Sequence, residues 1–190
     1  MNGSLRFTGI HHLAMATCDL NGTIVFWRDL VGLPLFLGFG RQGYRQYFFS
    51  ISDNCALSFF EWPDTKPLIE KDHGVPVAGP FAFDHVAIGL EGSRDLALIK
   101  ARFEAAGIWM SEAVDHGFVH SVYTFDPNNI AVEFSVSIMD SELRCAPVLV
   151  EKNPPSEVLR GPFLQPERYP EPSSIPDPVL YPGEGKDILP

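Results

Sequence analysis

GIHHLAMATCDL at residues 9–20 returns in altered form as AFDHVAIGLEGS at residues 82–93. Aligning His12 with His85 gives an offset of 73 residues (85 − 12). Self-similarity at such a spacing marks one supersecondary unit used twice. Each copy reads as a strand followed by a helix that ends at a glycine. In NGTIVFWRDLVG, Ile24, Trp27 and Leu30 or Val31 share one helical face. In SRDLALIKARFEAAG, Leu96, Ile99, Phe103 and Ala106 do the same, with Ser93 as the predicted cap. Gly32 and Gly107 supply the helix-ending positions. Strand-like runs follow in both halves: YRQYFFSIS and CALSFFEW in the first, VHSVYTF and IAVEFSV in the second. Each half is therefore predicted to run β-α-β-β-β. Two halves make one α+β domain over residues 5–138, with modules of about 5–65 and 80–138 cupped around a shared site.

The rest of the chain differs. From Pro147 onward, 11 of the 17 prolines fall within 44 residues, a density that excludes regular helix and central strand. The segment still carries Phe163, Leu164, Tyr169, Ile175, Leu180 and Tyr181. Residues 139–190 are accordingly read as an extended arm laid on the domain or on a second subunit.

Bulk composition narrows the function. Of 190 residues, 45% are hydrophobic and 20% charged, a globular balance sufficient for one real core. The net charge of −10 and pI near 4.9 oppose binding to nucleic acid or to an anionic membrane. The sequence has no run of 18 apolar residues, and MNGSLRFTGIHH has no cationic stretch leading into an apolar one, so neither a membrane span nor a secretory signal is expected. Cys18, Cys55 and Cys145 are scattered, without a paired CxxC spacing. That usage fits a reducing cytoplasm and no thiolate metal site.

The chemistry concentrates at the repeat. His12 and His85 stand at equivalent positions on equivalent strands, and imidazole is a ligand for Fe, Zn, Mn and Ni. His11 alternates to the other strand face and is read as structural or as an outer partner of the ligands. Glu133 interrupts the apolar run Ile130, Ala131, Val132, Phe134. If it turns inward unpaired, its burial costs several kcal/mol, on the order given for buried charges; strand alternation also allows it to face solvent. Its counterpart in the first half, four residues past Asn54 as Glu133 is past Asn129, is Ser58, while Glu61 falls on the opposite face. The symmetry thus offers His12, His85 and Glu133 as a 2-His-1-carboxylate metal set with open positions.

Paired β-α-β-β-β modules opening with IHHLAM and FDHVAI resemble the vicinal oxygen chelate superfamily. That group includes glyoxalase I, methylmalonyl-CoA epimerase, fosfomycin and bleomycin resistance proteins and type I extradiol ring-cleaving dioxygenases. The resemblance covers about residues 8–136. Four-ligand members carry a carboxylate or amide donor where this chain has Ser58. Residues 114–133 are similar to the extradiol signature, with His116, Val122, Tyr123, Asp126, Pro127 and Glu133 in its places; Asn129 stands where the signature has glycine or proline. Asparagine tolerates the left-handed backbone such a turn needs. His73, 12 residues before His85, occupies the loop in which extradiol enzymes carry an acid–base histidine.

The resemblance implies an Fe(II) enzyme, with Mn(II) or another divalent metal as substitutes, acting on a catechol-like or vicinal-oxygen small molecule with O2. His12, His85 and Glu133 would hold the metal, His73 would be the acid–base group, and Tyr123 and His116 would contact or orient substrate. A homodimer or higher oligomer is expected from family habit. Two alternatives stay open. One is a metal-dependent lyase or isomerase, for which a bulge would have to bring Glu61 inward. The other is a resistance-type protein that only binds a small molecule. His120 has no counterpart in the signature and is assigned only a pocket role.

Overall fold

A computed structural model describes residues 6–41, 43–78, 83–165, 168–169, 172, 174–183 and 186, without the side chains of 140–142. Residues 5 and 80–82, at the expected module starts, lie outside the described residues. In the first module β1 (His12–Thr17) leads to α1 (Leu20–Ile24), then β2 (Leu35–Arg41), β3 (Tyr44–Ser52) and β4 (Cys55–Glu61). In the second, β5 (Val86–Gly89) leads to α2 (Ser93–Ala105), β6 (Val114–Asp115), β7 (Val119–Phe125) and β8 (Ala131–Ser137). The expected β-α-β-β-β repeat is present in both halves. Each module forms one four-stranded mixed sheet, in the orders β1-β4-β3-β2 and β5-β8-β7-β6. The first strand of each pairs in parallel with the last, and the remaining pairs are antiparallel.

The first helix departs from the expected α-geometry. Asp19 caps it by accepting from the Gly22 N–H at 2.9 Å, but Val25–Val31 winds as a π-helix before Gly32 ends it at φ +96°. The wider turn places Phe26, Trp27 and Val31 on the buried side, where a 3.6-residue period selects Ile24, Trp27 and Leu30 or Val31. In α2, Leu96, Ile99 and Phe103 are buried as the periodicity requires. Ala106, by contrast, is exposed, and the capping position belongs to Gly92, with no side-chain cap from Ser93.

One apolar cluster joins the two modules. Trp27, Phe49, Phe59, Phe103, Val132 and Phe134 are all at most 1% exposed within it. Phe26 and Phe103 meet edge to face, with ring centres 5.6 Å apart, the geometry favoured by the ring quadrupoles. The Trp27 indole N–H donates across the modules to Asp126 Oδ2 at 3.3 Å. Strand alternation turns Leu57, Phe59, Val132 and Phe134 into this core, so the opposite sheet faces carry Ser58 and Phe60 in the first module and Glu133 in the second.

After β8 comes α3 (Asp140–Cys145); beyond it the described residues form only a 3₁₀ turn at Val158–Arg160. Phe163, Leu164, Tyr169, Ile175, Leu180 and Tyr181 are each at least 73% exposed. Among the described residues no helix is long and apolar enough to cross a membrane.

Candidate active site

The β7–β8 hairpin builds the site. Its turn, Asp126-Pro127-Asn128-Asn129, closes through Asn129 N–H to Asp126 O at 3.0 Å, and Asn129 adopts φ +59°. Asparagine therefore supplies the left-handed residue as expected. This turn sets the register: Tyr123 stands directly opposite Glu133, so both project from the same face. Across β8, Glu133 is in register with Ala87, and His85 lies two residues before Ala87 on that face.

Glu133 is 7% exposed, which rules out the solvent-facing alternative. Its Oε2 lies 2.7 Å from His85 Nε2, and Ser121 Oγ–H donates to its Oε1. On the other side of the ring, His85 Nδ1 lies 2.7 Å from Asp84 Oδ2. With Asp84 accepting the Nδ1 proton, the lone pairs of His85 Nε2 and Glu133 Oε2 face each other. Two acceptors at that separation require a positive species between them, either a shared proton or a metal cation. An imidazole nitrogen beside a buried carboxylate, with the second ring nitrogen held by a carboxylate, is a donor set suited to a divalent metal.

Three further predicted residues gather beside this pair. His116 Nε2 is 2.8 Å from Tyr123 Oη. The His73 ring lies flat on the Tyr123 ring, with centres 3.3 Å apart and planes 2° from parallel, and is 6.4 Å from the His85 ring. Burial, with the Glu133 charge adding to it, raises the Tyr123 phenol above its ordinary value, so it stays protonated at neutral pH. Burial also lowers His73, and the neighbouring His85 lowers it further against the pull of Asp72, Asp84 and Glu133. His73 is therefore a neutral imidazole near pH 7.

His12 lies elsewhere. Its ring packs against Phe48, with centres 5.8 Å apart, and its Nδ1 is 2.9 Å from His11 Nδ1. Among the described residues of a single chain, no three His, Cys, Asp or Glu side chains come together to hold a metal. Of the expected set, His85 and Glu133 are in contact, while the ring contacts of His12 are with Phe48 and His11. His120 shares a surface hollow with Leu96 and Lys100 of α2 and with Val122, on the face away from Glu133, and pairs with Asp115 at 3.4 Å.

Register confirms that Ser58 is the counterpart of Glu133: each is opposite the strand residue two past the repeated histidine, Ala14 or Ala87. Ser58 is fully buried, and its Oγ accepts from Gln46 Nε2 at 3.3 Å. This mirrors the Ser121–Glu133 contact with a neutral pair. Glu61 is salt-bridged to Arg45 and accepts from Leu20 N–H at 3.3 Å, so no bulge turns it toward Ser58. Sequence reading passed over Asp84, Ser121 and Lys71. Asp84 stood next to His85 in the repeat itself, and Ser121 two residues before Tyr123.

The Glyoxalase/Bleomycin resistance protein/Dioxygenase superfamily model matches residues 9–134, and the chain belongs to that superfamily. No curated protein matches it. Among solved structures, a glyoxylase/bleomycin resistance protein/dioxygenase domain from Frankia sp. EAN1pec is similar at 16% identity and TM-score 0.58, covering 70% of this chain and 94% of that one. A mutant of the fosfomycin resistance protein FosX from Listeria monocytogenes, complexed with Mn(II) and 1S,2S-dihydroxypropylphosphonic acid, is similar at 17% identity and TM-score 0.54, covering 73% and 99%. Lactoylglutathione lyase from Agrobacterium tumefaciens is similar at 24% identity and TM-score 0.51, covering 68% and 93%. These likenesses establish a shared fold; the chemistry rests on the residues of this chain.

Proposed function

We propose that this protein is a divalent-metal enzyme, with Fe(II) as the working metal and Mn(II) as a possible substitute, that opens a catechol-like ring with O2. The observation that carries this reading is the gathering of His73, Tyr123 and His116 beside the His85–Glu133 pair. An enolate-forming relative with four ligands needs a carboxylate or amide donor at the place of Ser58, and Glu61 is engaged by Arg45.

In this proposal His85 and Glu133 of one chain hold the metal together with His12 of a second copy. What supports it is that His12 packs on Phe48 and His11, and that among the described residues of a single chain no third His, Cys, Asp or Glu joins the pair to hold a metal. When bound, the metal would supply a Lewis-acidic centre for vicinal substrate oxygens and for O2. The chain's own residues handle the protons. Neutral His73 would take the proton of a substrate hydroxyl as the substrate oxygens engage the metal, and would hold that proton for return to the ring-opened product. Protonated Tyr123, steadied by His116, donates a hydrogen bond to a substrate oxygen.

The test is to purify the chain anaerobically, add Fe(II), and follow O2 uptake over a panel of catechols and hydroquinones. Uptake with appearance of a yellow ring-opened product supports the reading. Metal bound without uptake for any member of the panel overturns it in favour of a lyase or isomerase.

A pH profile follows from His73. Its conjugate acid is the inactive form for the first proton transfer, and burial holds its pKa below that of an ordinary imidazole. As pH falls, kcat/KM should therefore decline at a lower pH than it would for a base with the pKa of an ordinary imidazole. Removing a general base costs roughly 10²–10⁴-fold in rate, so His73→Gln should lower kcat by that order and flatten the acid limb.

A further inference from the structure

Asp84 touches two parts of the site at once. Its Oδ2 is 2.7 Å from His85 Nδ1 and accepts from the Gly74 N–H at 2.9 Å, while its Oδ1 accepts from Lys71 Nζ. Lys71 and Gly74 flank His73 on the long connection between the modules. Gly74 turns there at φ +67°, and Lys71 Nζ also donates to Asp72 O at 2.9 Å. The loop is thus tied on both sides of His73 to a single carboxylate. Between those ties, the His73 ring lies on Tyr123.

We infer that Asp84 is a positioning residue that couples two events: presentation of His85 Nε2 toward Glu133, and seating of the 71–74 loop that places His73 on Tyr123. The inference rests on the proposed roles of His85 and His73. The physical basis is that a carboxylate on Nδ1 fixes which ring nitrogen carries the proton and how the ring is turned. The same carboxylate is held in place by a lysine ammonium and a backbone N–H. Those bonds hold it well below the usual carboxylate range, in keeping with an acceptor held in three charge-assisted or backbone contacts. Loss of Asp84 should therefore release the ligand ring and the loop together, whereas loss of Lys71 should release the loop alone.

The experiment compares wild type with Asp84→Asn, Lys71→Met and Lys71→Arg, each first checked for an intact amide spectrum. One readout is Mn(II) affinity, titrated by EPR with the metal alone. The other is the His73 ring proton signal of the metal-free protein, assigned through His73→Gln, which the stacked Tyr123 ring shifts upfield. Outer partners of a metal-binding histidine are worth about 10–100-fold in metal affinity, so Asp84→Asn should weaken Mn(II) by that order and also move the His73 signal to the position of an unstacked imidazole. Lys71→Met should move the His73 signal with less than about a threefold change in Mn(II) affinity, well under that outer-partner effect, and Lys71→Arg should restore it. If Asp84→Asn leaves either readout at the wild-type value, or if Lys71→Met leaves His73 stacked, the coupling is wrong. A wild type that binds no Mn(II) would refute the proposed metal site itself. The His73 signal would then still decide whether Asp84 and Lys71 hold the loop.

Discussion

Glu133→Ala is expected to abolish metal binding and, with it, turnover. The residue is buried, and its carboxylate faces His85 Nε2 at 2.7 Å. Removing even the outer partner of a metal ligand costs about 10–100-fold in affinity; removing an anionic ligand should cost more than about 100-fold by the same measure. Two controls separate the metal role from a structural one. Glu133→Gln keeps the shape and an acceptor for Ser121 but removes the charge, so it should fold like wild type and still lose the metal. Glu133→Ala leaves Ser121 and His85 without their partner, at a cost of about 1–3 kcal/mol, so the metal-free protein should melt lower but still fold. Metal content by plasma emission and melting by circular dichroism measure the two effects independently. Full metal content in either variant would remove Glu133 from the site.

The second large effect is on stability. Asp126 is 3% exposed and accepts from four buried donors. These are Asn128 N–H at 2.8 Å, Ile130 N–H at 2.9 Å, Asn128 Nδ2 at 3.0 Å and, from the other module, Trp27 Nε1 at 3.3 Å. Asn128 Nδ2 in turn donates to Thr23 Oγ1 at 3.3 Å. One carboxylate thus shapes the turn that sets Tyr123 against Glu133 and fastens it to the first module's helix. An unsatisfied buried donor costs about 1–3 kcal/mol, and such losses within one network do not add in full. Asp126→Ala should destabilise the chain by about 3–5 kcal/mol, the range for a broken buried network. Trp27→Phe, which removes only the cross-module donor, should cost about 1 kcal/mol beyond its small change in packing. Urea midpoints at constant slope measure both. If Asp126→Ala loses less than Trp27→Phe, this turn is not the fastening point.

The sequence revealed most of the fold because the repeat did double duty. It fixed the module, and the module fixed which strand each histidine opens. The second-module half of the site was legible for the same reason. The spacing Tyr123 to Glu133 around Asp126-Pro127-Asn128-Asn129 admits one hairpin register that places both on one face. Three things were not legible. The π-helical turn at Val25–Val31 was missed because seven residues are too few for periodicity to separate 3.6 from a wider turn. Asp84 and Lys71 were missed because their roles come from a loop folding back over β5, a tertiary contact with no local pattern. Which chain's His12 would complete the set was not legible either, because internal symmetry shows only that two positions are equivalent, and equivalent positions can converge within one chain or between two. Glu133 poses the converse case. Its neighbours in sequence allowed it to face either way, and burial beside His85 decided it.

The proposed metal centre joins His12, His85 and Glu133 across two copies of the chain, and coexpression of His12→Ala with Glu133→Ala is the decisive experiment. Each variant alone damages every site it forms. In a mixed dimer, the His12→Ala chain keeps its own His85 and Glu133 and receives His12 from its neighbour, so one of the two sites is whole. With random pairing of equal amounts in a two-fold dimer, roughly a quarter of the wild-type metal content and activity should return. If the wild type is active and the mixture is as silent as either variant alone, the site is not shared between chains. If either variant alone keeps wild-type metal, the residue it lacks is not a ligand.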